Sequence, residues 1–377
     1  MKNLLYILKN YRYRNLNFRL LLWVYALTIL GINVIHSASS EADYSGKQII
    51  GLILGTIVLI ICALIDYKFV LKFYWVIYVV NLLFLLAVPL FGEVHMGAKR
   101  WINVGIQIQP SELTKIFLIL FMAKLIMKYK EKINKIPYLL MIVMLYCVPV
   151  AFILKQPDLS TSIVIMLLFC SIMFISGLQY KIIGAVLALA IPVSAVLLYL
   201  VLQPDQKILE PYQYNRIIGF YDKDNEEAAR INYQQQNSIM AIGSGGLMGK
   251  GLNTENVDSV KNGDYLAEPQ TDFIFTIVGE ELGFVGGVIV IALLALITFE
   301  CFWTGAHAPD LGGKIICCGF GSLIALQSFV NIAVVTMLIP NTGLTLPFVS
   351  YGLSSLISMY IGIGFVMNVS LQKVKLL

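Results

Sequence analysis

The stretch QIIGLILGTIVLIICALI at residues 48–65 decides the fold, because it contains no charged side chain. A helix needs about 20 mostly apolar residues to cross the hydrocarbon core of a bilayer. Nine similar runs occur elsewhere in the chain. Together they predict ten membrane-spanning helices, at roughly 18–38, 48–65, 70–91, 111–127, 137–154, 160–178, 182–202, 273–303, 313–339 and 351–371.

The overall composition supports the same fold class. Of the 377 residues, 58% are hydrophobic and 13% are charged, whereas soluble domains carry roughly 25% charged residues. We therefore predict one all-α integral membrane domain over residues 1–377. The net charge of +5 is not concentrated on a soluble module, so we expect no nucleic-acid partner. The six cysteines fit neither a disulfide framework nor a zinc site.

The distribution of Lys and Arg orients the predicted spans. Basic residues concentrate in alternate loops, and the more basic side is cytoplasmic. This rule predicts that both termini are cytoplasmic. The loops expected outside are rich in Gly, Pro, Trp, Asp and Asn, and they are 92–110, 155–159, 203–272 and 340–350. The largest, 203–272, connects the seventh and eighth spans.

A glycine-rich tract lies in the largest predicted outer loop. The tract GSGGLMGKG at 243–251 lacks the spacing of a phosphate-binding loop and follows no βαβ strand. We interpret it as a flexible loop and expect no nucleotide cofactor.

The eighth span is too long for one perpendicular crossing. Its first third, with Glu280 and Glu281, is expected at the interface or along a polar cavity.

Ionisable residues at the outer ends of the spans are candidates for function, because charge is costly in hydrocarbon. Lys115 falls in the first turn of the fourth span, where it can serve a ligand, extend to the headgroups or pair with Glu112. Asp158 and Asp272 precede the sixth and eighth spans. Each fits either a helix cap or a functional carboxylate.

Lys99, Arg100 and Trp101 allow two interpretations as well. A Trp beside basic residues is a common interfacial anchor, and the same groups suit a lipid diphosphate headgroup. Their predicted depth matches that of Lys115 and the two carboxylates. This arrangement suits a substrate with phosphates at the headgroup plane and a sugar outside it. Such a reaction needs no nucleotide, because the diphosphate is itself the leaving group.

Seven segments in order resemble the SEDS family (shape, elongation, division and sporulation), the group that contains RodA, FtsW and SpoVE. They are GAKRWINVG at 97–105, PSELTKI at 110–116, KQPDLST at 155–161, NSIMAIGSGGLMGKGL at 237–252, AEPQTDFIFTIVGEELGFVGG at 267–287, FVNIAVVTMLIPNTGLTLPFVSYG at 329–352 and SS at 354–355. The resemblance implies a peptidoglycan glycosyltransferase in the bacterial cytoplasmic membrane. Such an enzyme polymerises lipid II at the outer face, for elongation, division or sporulation.

The resemblance also implies roles for individual residues. Asp272, in the T-D-F motif, corresponds to the catalytic base. Arg100, Lys115 and Arg216 would bind the diphosphate, with Mg²⁺ or Mn²⁺ as a candidate cation. Asp158 would orient either that cation or Lys115. The remaining candidate substrate-binding residues are Lys99, Trp101 and Ser350.

The expected partners follow from the same resemblance. They are lipid II, a class B penicillin-binding transpeptidase and other elongasome or divisome membrane proteins. Two alternatives stay open: a lipid II transporter (flippase), and a non-catalytic scaffold for the transpeptidase. The chain departs from the family pattern at Gln270, where histidine is common, and at Leu353, where glycine is common.

Overall fold

The computed structural model describes residues 15–38, 44–95, 98–103, 107–156, 158–203, 206, 214, 220, 226–254, 259, 263, 265–266 and 268–372. These residues form thirteen α-helices, two short 3₁₀ turns and one small sheet. The helices are α1 (Phe18–Ala38), α2 (Tyr44–Leu64), α3 (Tyr67–Val70), α4 (Tyr74–Phe91), α5 (Pro110–Tyr129), α6 (Ile136–Lys155), α7 (Leu159–Ile175), α8 (Tyr180–Val201), α9 (Glu226–Ser244), α10 (Ile274–Glu281), α11 (Gly283–Ala306), α12 (Leu311–Val335) and α13 (Leu353–Leu371).

Eight helical segments of the described chain are long and apolar enough to cross a membrane. They coincide with eight of the ten predicted spans, counting α3 and α4 as one segment. The other two predicted spans are also helical. One is α7, which has 17 residues, and the other is α5, which carries four charged side chains. Ten crossings and an outside position for 203–272 therefore stay predictions.

The centre of the bundle consists of α5, α12 and α13, which bury larger shares of their residues than the other long helices. Helix α12 contacts α5, α7, α11 and α13, and α13 packs along α2. A helix that is surrounded by other helices is expected to be apolar on all sides. Polar side chains within such a helix are therefore expected to have a specific partner.

The predicted eighth span is two helices, because the chain breaks between α10 and α11. The last carbonyls of α10 accept hydrogen bonds from the backbone of the 243–251 tract. The first N–H groups of α11 donate to carbonyls of the same tract. The tract thereby satisfies two carbonyls at the end of α10 and two N–H groups at the start of α11. The tract is an ordered cap, so our interpretation of it as a flexible loop is wrong.

The two carboxylates at the end of α10 are buried within this cap. Glu280 accepts a hydrogen bond of 2.8 Å from Lys250 Nζ, which neutralises its charge. Glu281 accepts one of 2.6 Å from Ser37 Oγ on α1. These contacts join the glycine tract, α10 and α1 into one unit.

The structure also contains a small antiparallel sheet, which the all-α prediction did not include. It consists of β1 (Glu93–His95), β2 (Ala98–Asn103) and β3 (Gln107–Ile108), with β2 in the middle. The register pairs Val94 with Lys99 and Asn103 with Gln107. Strand β2 packs against α4 and α5. The sheet thus lies beside the beginning of α5.

Candidate functional site

The candidate site lies where the N-terminal ends of α5, α7 and α13 meet. Gln109 donates its backbone N–H to Ser354 Oγ at 3.2 Å, which joins α5 to α13. The segment 336–352, between α12 and α13, folds over this end of the bundle. Ser160 of α7 donates its hydroxyl to the Thr342 carbonyl and so fixes the segment to α7.

Lys115 is fully buried at this end of α5. Its ammonium donates to Glu112 Oε1 and to Gln327 Oε1, both at 2.8 Å. The predicted pairing with Glu112 is present, and complete burial of the side chain rules out extension to the headgroups. A buried charge is tolerated when it is paired and hydrogen-bonded. An ammonium has three N–H donors, and residues in the described part of the chain accept two of them.

Asp158 is the N-cap of α7, as one of its two interpretations predicted. Its Oδ1 accepts the Thr161 N–H at 3.1 Å, and its Oδ2 accepts Thr161 Oγ1 at 2.9 Å. A longer contact of 3.5 Å joins Oδ2 to Ser111 Oγ in the first turn of α5. Asp158 therefore joins α7 to α5, the helix that carries Lys115. The Lys115 ammonium itself is bonded to Glu112 and Gln327.

Asp272 lies just before α10 and is partly exposed. The N-cap position of α10 is occupied by Phe273, whose side chain makes no capping hydrogen bond. Asp272 is therefore not the N-cap residue of α10 and stands one position before it.

Hydrogen bonds to three consecutive carbonyls hold the backbone at 270–272. They are Tyr351 N–H to Gln270 O at 2.9 Å, Ser350 Oγ to Thr271 O at 2.7 Å and Asn331 Nδ2 to Asp272 O at 2.8 Å. Ser350 Oγ also accepts the Leu346 N–H at 2.7 Å. Both of these contacts are with backbone, so Ser350 joins residues 270–272 to the 336–352 segment.

The three predicted headgroup residues lie together on β2. Lys99 is exposed, whereas Arg100 and Trp101 are partly buried. Side chains alternate along a strand, so Arg100 is on the opposite face from the other two. Packing of β2 on α4 and α5 places this group beside the beginning of α5. Arg216 lies outside the described residues.

Our sequence analysis missed two residues, Gln327 and Asn331 of α12. Gln327 accepts a hydrogen bond from Lys115 and donates to the Thr345 carbonyl at 3.0 Å. Asn331 donates to the carbonyls of Asp272 and Leu344. A detectable signal was present, namely two amides one turn apart in an apolar span, where unsatisfied polar groups are costly.

Comparisons with known proteins agree with this architecture. The family of cell cycle proteins FtsW, RodA and SpoVE matches residues 18–375. Peptidoglycan glycosyltransferase MrdB of Escherichia coli (strain K12) is 32% identical over 354 residues, covering 93% of this chain and 92% of MrdB.

Two solved structures have the same fold. The rod shape determining protein RodA of Thermus thermophilus is 26% identical with a TM-score of 0.68, covering 94% of this chain and 96% of that one. A chain from a peptidoglycan synthase complex that coordinates polymerization and crosslinking is 26% identical with a TM-score of 0.76. That match covers 94% of this chain and 97% of the other.

Proposed function

This chain belongs to the FtsW, RodA and SpoVE family, and on that premise we propose that it is a peptidoglycan glycosyltransferase that polymerises lipid II. It is a multi-pass protein of the bacterial cytoplasmic membrane. One observation carries the proposal. Asp272 is partly exposed and stands one residue before the N-cap position of α10, on a backbone held by three hydrogen bonds. This is the geometry that a positioned general base requires.

In the proposed reaction, Asp272 accepts the proton of the acceptor sugar's 4-hydroxyl. The hydroxyl oxygen forms a bond to C1 of the donor sugar as the bond from C1 to the diphosphate oxygen breaks. The electron pair of that bond leaves with undecaprenyl diphosphate. Attack from the face opposite the leaving group inverts the anomeric centre. One base and one stabilised leaving group are sufficient for this step.

Positive charge is needed to stabilise the negative charge of the leaving diphosphate. The described residues accept two of the three N–H donors of Lys115, in a buried site where electrostatic interactions are stronger than in water, and we assign the third to a diphosphate oxygen. Arg100 offers a forked guanidinium suited to phosphate oxygens. We assign Lys99, Trp101 and Arg216 to the same headgroup region. Asp158 supports it by fixing α7 to α5.

A divalent cation, Mg²⁺ or Mn²⁺, is a proposed cofactor. Magnesium is commonly held by one or two carboxylates together with substrate phosphates. Among the described residues, no group of three or more His, Cys, Asp or Glu side chains could hold a metal on its own. Asp158 is the candidate ligand, and the substrate diphosphate would complete the coordination. The cation would add charge stabilisation for the leaving group.

The proposed partner is a class B penicillin-binding transpeptidase. The similar chain in the synthase complex supports this proposal, because that complex combines polymerization with crosslinking. Other elongasome or divisome proteins are proposed on family membership alone.

The test is polymerisation of purified lipid II by the full chain with its class B partner, with Mg²⁺, with Mn²⁺ and with a chelator. We expect glycan strands with either cation and a slower reaction with the chelator. Absence of strands, in an assay where a control polymerase works, would contradict the proposal. Transport of lipid II across vesicles by the same preparation would then favour the transporter, and absence of transport would favour the scaffold.

A further inference from the structure

The backbone of Asp272 is held by an amide of the central helix. Asn331 Nδ2 donates to the Asp272 carbonyl at 2.8 Å and to the Leu344 carbonyl at 2.6 Å. The orientation of this amide is unambiguous, because a flipped amide would place its oxygen against two carbonyl oxygens. Asn331 is 1% exposed, so water does not compete for these bonds.

Gln327 makes the matching contacts one turn earlier on α12. Its Nε2 donates to the Thr345 carbonyl at 3.0 Å, and its Oε1 accepts from Lys115 Nζ at 2.8 Å. Residues four apart on a helix lie side by side. The two amides therefore hold adjacent carbonyls of the 336–352 segment, and each also contacts one functional residue, Lys115 or Asp272.

Stability of α12 does not explain Asn331. An amide in a buried span is unfavourable unless all its polar atoms are satisfied. Asn331 Oδ1 is buried and, within the described part of the chain, has no hydrogen-bond partner. A side chain selected for packing alone would not leave this acceptor unsatisfied. Asn331 is explained instead by the two carbonyls that its N–H groups bind, those of Asp272 and Leu344.

We propose that Gln327 and Asn331 are positioning residues of the transfer reaction, and we call the pair the amide brace. The brace fixes the Lys115 ammonium and the backbone of Asp272 to one rigid helix. The base and the cation then keep a constant separation while the acceptor attacks. This inference rests on the proposed function, in which Asp272 is the base and Lys115 binds the diphosphate.

The test compares the kinetics of Asn331→Ala with wild type, using the full chain, its class B partner and purified lipid II. We expect kcat to fall about 10- to 100-fold, because a displacement of the base of about 1 Å has an effect of this size. The KM for lipid II should stay within about twofold of wild type, since ground-state binding is not altered.

Ser328→Ala is the matched control. Ser328 is buried on the same helix, and its Oγ has no hydrogen-bond partner among the described residues. Its removal should leave kcat unchanged. Asn331→Ser keeps one donor in a shorter side chain, so its kcat should lie between those of wild type and Asn331→Ala.

Wild-type kcat in Asn331→Ala would overturn the brace. If that variant does not fold, wild-type kcat in Asn331→Ser would overturn it instead, and so would an equal loss in Ser328→Ala. Asp272→Asn is measured in the same assay to separate two kinds of failure. An active Asp272→Asn would refute the proposed base and the brace together. An inactive Asp272→Asn beside an unchanged Asn331→Ala would refute the brace alone.

Discussion

Lys115 and Gln327 are joined by a hydrogen bond of 2.8 Å that crosses from α5 to α12. The same ammonium binds Glu112 at 2.8 Å, one turn earlier on its own helix. A buried cation, a buried anion and a buried amide thus form a closed group at the end of the bundle where Asp158 joins α7 to α5. The group stabilises this end of the bundle, and under the proposed function it also binds the donor diphosphate; mutations can separate the two roles.

Lys115→Met should lower both stability and donor binding. The change leaves Glu112 as a buried charge without its partner, which costs about 3–5 kcal/mol. Adding Glu112→Gln removes that charge and should restore most of the thermal stability. The double variant should still have a raised KM for lipid II, because the ammonium is absent. A stable double variant with normal KM would show that Lys115 has no role in donor binding.

Ser350→Ala should slow polymerisation by displacing residues 270–272. The variant loses the hydrogen bond to the Thr271 carbonyl and leaves the buried Leu346 N–H unsatisfied. An unsatisfied buried group costs about 1–3 kcal/mol. Ser350→Thr keeps the hydroxyl and serves as the control. The measurements are thermal unfolding and the initial rate of glycan synthesis. Equal rates for Ser350→Ala and wild type would contradict the positioning role of Ser350.

Gly283→Ala should destabilise the break between α10 and α11. Gly283 has φ of +65°, and an added Cβ would lie 2.3 Å from the backbone nitrogen of Gly249. The backbone conformation alone costs about 1–2 kcal/mol for alanine, and the overlap adds about 1–3 kcal/mol. Gly243→Ala is the control, since an added Cβ there meets no atom within 4 Å. Similar melting temperatures for both variants would contradict the close packing of the tract.

Leu353, where the family commonly has glycine, packs against Gly51 of α2. A Cβ added at Gly51 would lie 2.8 Å from Leu353 Cδ2. Gly51→Ala should therefore lower the stability of the wild-type chain by about 1 kcal/mol and have a smaller effect in a Leu353→Ala background. Thermal unfolding of the four proteins in this double-mutant cycle measures the coupling. Strictly additive effects would show that the two positions are independent.

Most of the helical architecture follows from the sequence, because a long apolar run in a membrane has few alternatives to a helix. The strands at 93–108 were not predicted, since they are two to six residues long and lack a sustained alternation of apolar and polar residues. The break before Gly283 was also missed. Its cause is contact with the 243–251 tract, which is distant in sequence.

The candidate site was predictable only where its contacts are local. The pairing of Lys115 with Glu112 and the cap formed by Asp158 both lie within three residues along the chain. The contact between Lys115 and Gln327 spans 212 positions. No local pattern encodes such a contact, so the two amides of α12 stand out in the sequence but their partners could be identified only in the folded bundle.

The most direct test of the central claim is the rate of lipid II polymerisation by Asp272→Asn, measured with the class B partner. The substitution keeps the size of the side chain and removes its capacity to accept the hydroxyl proton. We predict that this variant folds, binds its partner and makes no glycan strands, while wild type makes them under the same conditions. Strands formed at the wild-type rate by Asp272→Asn would contradict the assignment of Asp272 as the base.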